Sequence, residues 1–157
     1  MPNPSITIRR AETSDLKEIH QIEVECFYED AFSQSQMKEI IKDPGFIFLV
    51  AIMNENIVGF IIGGLENFRD KTVGHIYSID VKPEYRNRGI GSLLLESMEN
   101  LLVEEGVKEC YLEVRVDNMA ARNLYFKHEY RFFELLSNYY GAGKDGIRLI
   151  KKLSVKE

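Results

Sequence analysis

The sequence predicts an α+β domain: a mixed sheet of about seven strands with helices on both faces. Three observations lead there. Two short β-branched and aromatic runs, "FIFLVAIM" and "NIVGFII", flank a polar turn at Asn54-Glu55-Asn56 and read as a hairpin. From Gly89 onward, apolar residues recur at the spacing of one helical face. Strands come first and then alternate with helices, which implies an antiparallel first half and a right-handed crossover that makes the strands around Ile79 and Leu112 parallel neighbours.

Taken in order, Ile6 and Ile8 alternate like a strand, and Thr13 to Asp15 offer N-cap chemistry before Leu16, Ile19, Ile22 and Cys26 at helical spacing. A second helix is expected from Ser33 to Lys42, stopped by Asp43-Pro44-Gly45. After the hairpin, "TVGHIYSIDV" is a strand on which His75, Tyr77, Ile79 and Val81 point one way and Ile76, Ser78 and Asp80 the other; Pro83 ends it. Ile90, Leu93, Leu94, Met98, Leu101 and Leu102 then form a helix closed by Gly106. "ECYLEVRVD" is a strand, "NMAARNLYFKHE" a helix started by Asp117 or Asn118, "RFFELLSNYYG" a strand running into a turn, and "GIRLIKKL" a last strand.

The chain of 157 residues with 45% hydrophobic content suits one core, so residues 1–157 are expected to form a single domain. No apolar run has the length to cross a bilayer, and "MPNPSITIRR" lacks the apolar centre of a signal peptide; a cytoplasmic protein without membrane contact is expected. Cys26 and Cys110 show no metal-ligand spacing, which suits a reducing compartment and no structural metal. A net charge of -5 argues against a nucleic-acid surface and leaves room only for a local basic patch.

One such patch is "RNRGIGS", residues 86–92, at the mouth of the Ile90 helix. Helix N-termini carry partial positive charge and free N–H groups, so acids in the first turn are favoured; here none follows Gly89 until Glu96. An anionic phosphate from outside would fill that place, with Arg86 and Arg88 adding charge. The third glycine of a dinucleotide fingerprint and the Gly-Lys-Ser/Thr of a P-loop are both missing. Arg-x-x-Gly-x-Gly after a strand ending "DVKPEY" instead resembles the GNAT superfamily of acetyl-CoA-dependent N-acetyltransferases, whose sheet is splayed. Blocks "GHIYSIDVKPEYRNRGIG", "YLEVRVDNMAARNLY" and "NYYGAGKDG" are similar to its RimI/Ard1-like branch of protein N-terminal acetyltransferases.

The resemblance implies acetyl-CoA as cofactor. Ile79, Asp80 and Val81 would lie along pantetheine, Arg86, Asn87, Arg88, Gly89, Ile90, Gly91 and Ser92 would hold the pyrophosphate, and Asn118 would make a second contact. It implies Glu113 as base, commonly through water, and Tyr125 of the Leu124-Tyr125 pair as acid to the coenzyme sulfur; His75 is the alternative base. Read without the resemblance, Glu113 is a surface ion pair with Arg115 on the same strand face, Tyr125 a core residue, and His75 a packing residue. Tyr139 and Tyr140 would close over the acceptor, with Tyr77 beside them and Phe27, Tyr28 and Phe32 on the opposite wall.

Two positions depart from the family pattern. Glu129-Tyr130 stands where Gly-Phe is usual, so the helix carrying Tyr125 is expected to end differently, and Lys144 replaces a common acid. The expected activity is direct acetyl transfer, in a ternary complex, to the α-amine of a protein or peptide N-terminus by a monomer or weak homodimer. A GNAT enzyme for a small amine or lysine side chain, and a non-catalytic acyl-CoA-binding module, are the alternatives.

Overall fold

Strands β2 (Phe46–Met53) and β3 (Asn56–Phe68) pair antiparallel across a turn in which Asn54 and Glu55 have φ of 52° and 67°. Two successive left-handed residues match the twist of a hairpin, so the expected turn forms with Asn56 already in the second strand. The computed structural model describes residues 5–27 and 31–154. Strand β1 (Thr7–Arg10) extends the sheet antiparallel to β2.

Helix α1 (Leu16–Phe27) follows a 3-10 turn over Thr13–Asp15, and helix α2 is Gln34–Lys42. The expected cap chemistry centres on Asp15, whose carboxylate accepts the Glu12 N–H at 2.7 Å and the Arg9 guanidinium at 2.8 and 3.0 Å. That guanidinium holds the Asp15 carboxyl below its usual range. Ser33 and Gln36 cap α2 reciprocally: Ser33 Oγ accepts the Gln36 N–H at 3.1 Å, and Gln36 Oε1 accepts the Ser33 N–H at 2.8 Å. Ile19, Ile22 and Met37 of these helices bury against Phe48, Val50, Ile57, Phe60 and Ile62 of the hairpin.

The opposite hairpin face meets helix α3 (Ile90–Glu104) and strand β4 (Lys71–Val81) at Gly59. A Cβ there would lie 2.7 Å from the Asp80 carbonyl and 3.4 Å from Leu94 Cδ1, so only glycine admits the approach. Helices therefore cover both faces of this part of the sheet.

By contact the chain divides into two compact units, residues 1–64 with 78–98, just described, and residues 65–77 with 99–157. The second holds strands β5 (Glu109–Arg115), β6 (Arg131–Leu136) and β7 (Gly146–Lys152) and helix α4 (Met119–Lys127). The expected parallel pair forms between β4 and β5, with Ile76 rather than Ile79 opposite Leu112. β7 lies antiparallel between β5 and β6, and the strand order of the seven-stranded sheet is β1-β2-β3-β4-β5-β7-β6. Leu102 of α3 packs on Gly74, where a Cβ would come within 2.6 Å of its Cδ1. Strand alternation puts His75, Tyr111, Glu113 and Arg148 on the face away from Gly74.

Helix α4 ends as families with glycine do, contrary to expectation. Glu129 adopts φ 71°, its N–H donates to the Phe126 carbonyl at 3.1 Å, and Tyr130 N–H donates to the Tyr125 carbonyl at 3.0 Å. That is a Schellman closure with glutamate in the left-handed position, and the Tyr125 and Tyr130 rings, 5.9 Å apart, supply its apolar contact. Among the described residues no helix is long and apolar enough to cross a membrane.

Candidate active site

On the open face of the second unit, five charged side chains alternate in sign. Glu113 Oε1 meets His75 Nε2 at 2.6 Å, Glu113 Oε2 accepts Arg148 Nε at 2.9 Å, Glu66 Oε2 contacts His75 Nδ1, and Arg148 Nη1 reaches Glu134. The two candidate bases are thus joined to each other. Arg115 pairs with Asp117 at 3.1 and 3.2 Å, so the Glu113–Arg115 pair suggested by their shared strand face does not form.

Both nitrogens of His75 face carboxylates, and both bonds are made only when each nitrogen carries a proton. Burial works against that charge, but Glu113 and Glu66 outweigh it and raise the His75 pKa above its ordinary value. Glu113 experiences the converse. Burial pushes its carboxyl up, yet the hydrogen bonds and charges of His75 and Arg148 prevail and leave its pKa lowered. The array therefore favours an imidazolium between two ionised carboxylates.

Tyr77 packs on His75 with ring centroids 4.4 Å apart and donates its hydroxyl to Glu66 at 2.9 Å. Tyr139 and Tyr140 form an edge-on pair 4.9 Å apart after β6. Burial first, then the charge of Glu113, raises the Tyr139 pKa, which sets this tyrosine within the field of the array. Tyr140 lies over Gly146, where a Cβ would fall 2.7 Å from its Cε2.

Tyr125 is 5% exposed and held by the helix end just described. Asn118 is the N-cap of α4, accepting the Ala121 N–H through Oδ1 at 3.1 Å. Phe27 is exposed, whereas Phe32 packs against the first unit's apolar core, and Tyr28 lies outside the described residues.

Glu66 and Arg148 were missed by sequence reasoning. Glu66 stands in β3 beyond the residues that pair with β2, where it reads as a hairpin charge, and Arg148 is an isolated cation in an apolar strand. The alternation of β7 was the one available signal, since it turns Arg148 to the face opposite Ile147 and Leu149; its place across from Glu113 comes from the register.

Asp80 differs from its neighbours on β4. Its carboxylate is buried, with Oδ1 accepting the Ser78 hydroxyl at 2.8 Å, and turns away from the face of Ile79 and Val81; only its backbone remains for a ligand on that side. Asn87 and Gly89 take φ of 63° and 81°, and a Cβ on Gly89 would meet nothing within 4 Å. The first hydrogen bond of α3 runs from Leu93 N–H to the Gly89 carbonyl, no acid occupies its first turn, and Arg88 stacks over Tyr85 at 5.2 Å. Arg86 instead folds back, donating Nε to the Val81 carbonyl at 3.1 Å and Nη2 to Cys26 Sγ at 3.4 Å.

Residues 16–130 match the Acetyltransferase (GNAT) family. The chain belongs to the GNAT acetyltransferase family. It is 36% identical, over 92% of its length and 90% of the relative's, to an uncharacterized N-acetyltransferase of Methanocaldococcus jannaschii. With an N-alpha-acetyltransferase of Saccharolobus solfataricus it shares 33% identity over 94% of this chain and 93% of that one. Among solved structures, Ard1 from Thermoplasma volcanium superposes with a TM-score of 0.85 at 24% identity, covering 96% of this chain and 99% of that chain. The ribosomal-protein-S18-alanine N-acetyltransferase from Escherichia coli gives 0.81 at 25% identity, covering 98% and 97%. This GNAT chain is an acyltransferase, and acetyl-CoA is its acetyl donor. The loop chemistry fits that donor: two left-handed residues, an open glycine, an acid-free helix start and Arg88 suit a pyrophosphate.

Proposed function

We propose that this protein transfers the acetyl group of acetyl-CoA to the α-amine of a protein or peptide N-terminus. The observation that carries this reading is the array's lack of a strong base. Both His75 nitrogens face carboxylates, which favours its protonated form, and Glu113 is held below the ordinary carboxylate range. A lysine amine with pKa near 10.4 is neutral about once in 2,500 at pH 7, whereas an α-amine near 7.7–8.0 is neutral about a tenth to a sixth of the time. A weak acceptor suffices for the second and fails for the first. The relatives named N-alpha-acetyltransferase, at 33% identity, point the same way.

Acetyl-CoA supplies a thioester carbonyl that a neutral amine can attack. The chain's residues do the rest. The Ile79 and Val81 backbone orients the pantetheine, and Asn87 to Ser92, with Arg88, receive the pyrophosphate. Arg86 ties the end of β4 to the loop rather than reaching outward. With Oδ1 engaged in capping α4, Asn118 offers its amide N–H group. Glu113, its carboxylate oriented by His75 and Arg148, takes the amine proton through water, and Tyr125 gives a proton to the departing sulfur. Tyr77, Tyr139 and Tyr140 surround the first residues of the acceptor. Residues 1–157 act as one acetyltransferase domain in the cytoplasm, as a monomer or weak homodimer.

Thiol release from acetyl-CoA, measured against peptides with free or blocked N-termini, lysine-bearing peptides and polyamines, tests this. Turnover on free N-termini that disappears on blocking is expected. Turnover confined to lysine or polyamines would refute the reading, and tight coenzyme binding without turnover on any amine would mark a non-catalytic binding module.

A further inference from the structure

The two carboxylates that hold His75 are not equivalent. Glu113 is 9% exposed in its side chain and has each oxygen bound to a cation, Oε1 to His75 and Oε2 to Arg148. Glu66 is 45% exposed and uses one oxygen only: Oε2 takes both His75 Nδ1 and the neutral Tyr77 hydroxyl, while Oε1 has no hydrogen bond among the described residues. Glu113 shares its charge between two cations. Glu66 shares one cation with Glu113 and has no second. Glu134, at the far end of the array, has Arg148 and also Arg69 Nη2 at 3.8 Å, so the uncompensated negative charge and the open acceptor atom sit on Glu66.

Tyr77 gives that atom a fixed place. A surface glutamate ordinarily samples many rotamers, and holding one costs side-chain entropy. Here the Tyr77 hydroxyl and the His75 ring, themselves stacked 4.4 Å apart, hold Oε2 from two sides, so Oε1 is presented in one direction. Held this way, an exposed ionised oxygen matches a primary ammonium, a compact cation with three donors. Hydrogen bonding from His75 and Tyr77 outweighs desolvation and lowers the Glu66 pKa, so it keeps this charge across the working pH range.

We propose that Glu66 is the docking group for the acceptor amine: Oε1 receives an N–H of the peptide's α-ammonium, and the Tyr77–His75 pair holds that oxygen in position. This rests on the reading of the acceptor as a peptide N-terminus and assigns recognition of its charge to a residue separate from Glu113. Blocked N-termini, lacking the cation, lose this contact as well as the nucleophile.

The test is Glu66→Gln in the full chain, with one free-N-terminus peptide that the wild type acetylates. Steady-state KM and kcat are measured with saturating acetyl-CoA, and peptide Kd by calorimetry on the CoA-loaded protein. A charge-assisted hydrogen bond corresponds to about a tenfold to hundredfold change in affinity, so KM and Kd should rise by that factor while kcat changes less than about threefold. Glu66→Asp, which keeps the charge, should recover part of the loss. An unchanged peptide Kd overturns the proposal. So does a fall in kcat with a shifted pH profile at constant KM, which would make Glu66 only a holder of His75. Absence of wild-type turnover on every free N-terminus would instead overturn the proposed function, a result separable from the comparison of Kd values.

Discussion

Replacing Asp80 by asparagine should stabilise the protein by an amount that grows with pH. Asp80 is 2% exposed and Glu23 1% exposed. Asp80 Oδ1 accepts the Ser78 hydroxyl at 2.8 Å and Glu23 Oε2 accepts the Phe32 N–H at 2.8 Å, while Asp80 Oδ2 and Glu23 Oε1 are buried with no donor. Burial, and then the hydrogen bond and charge of Glu23, drive the Asp80 pKa well above its ordinary value, against the opposing pull of Ser78 and Arg86. A proton on Asp80 supplies the missing donor. In the unfolded chain Asp80 titrates near its ordinary 3.8, so its contribution is complete below that pH and is lost as pH rises toward the folded-state pKa. Between those two pKa values one proton corresponds to a slope of about 1.4 kcal/mol per pH unit. An asparagine amide donates to Glu23 and accepts from Ser78 without taking up a proton. Urea unfolding of both proteins at half-unit steps from pH 4 to 8 should therefore show curves that coincide or cross at the acid end and diverge above it. A difference that stays constant with pH would refute the shared-proton account.

Glu129→Gly should raise stability: relieving a left-handed residue gains about 1–2 kcal/mol, and the added freedom of the unfolded chain returns about half of that, leaving a Tm increase of a few degrees by thermal unfolding. A lower Tm would mean that the Glu129 side chain makes a contact worth more than its strain. Tyr125→Phe should cut kcat at least tenfold with coenzyme Kd unchanged by calorimetry, because the ring and the helix end survive while the hydroxyl is lost; preserved kcat would remove it as the proton donor. Gly146→Ala would drive a methyl group against the Tyr140 ring, so peptide KM should rise severalfold at constant coenzyme Kd, and an unaltered KM would take Tyr140 out of the acceptor site.

The elements of the fold were legible because each rests on local periodicity or local capping. Ser33 at the start of α2 and Gly106 at the end of α3 act as their sequence positions imply. Glu129 shows where local rules yield. Its Cβ disfavours φ 71°, yet the Tyr125–Tyr130 contact and two hydrogen bonds hold it there. Phe32, expected on the acceptor wall, is partly buried against the first unit's apolar core, and aromatic type alone does not distinguish a pocket from an interior.

What the sequence determined by itself was which residues lie on one strand face: His75 with Tyr77 on β4, and Glu113 opposite Leu112 on β5. Partnership across strands was decided only in three dimensions. Glu113 is bound by His75 and Arg148 rather than by the nearby Arg115, and Asp80 meets Glu23 from a helix far back in the chain. The reason is physical. Facing direction follows from the two-residue repeat of a strand, which every residue carries with it, whereas a charge's partner and its pKa depend on register and burial set by segments remote in sequence.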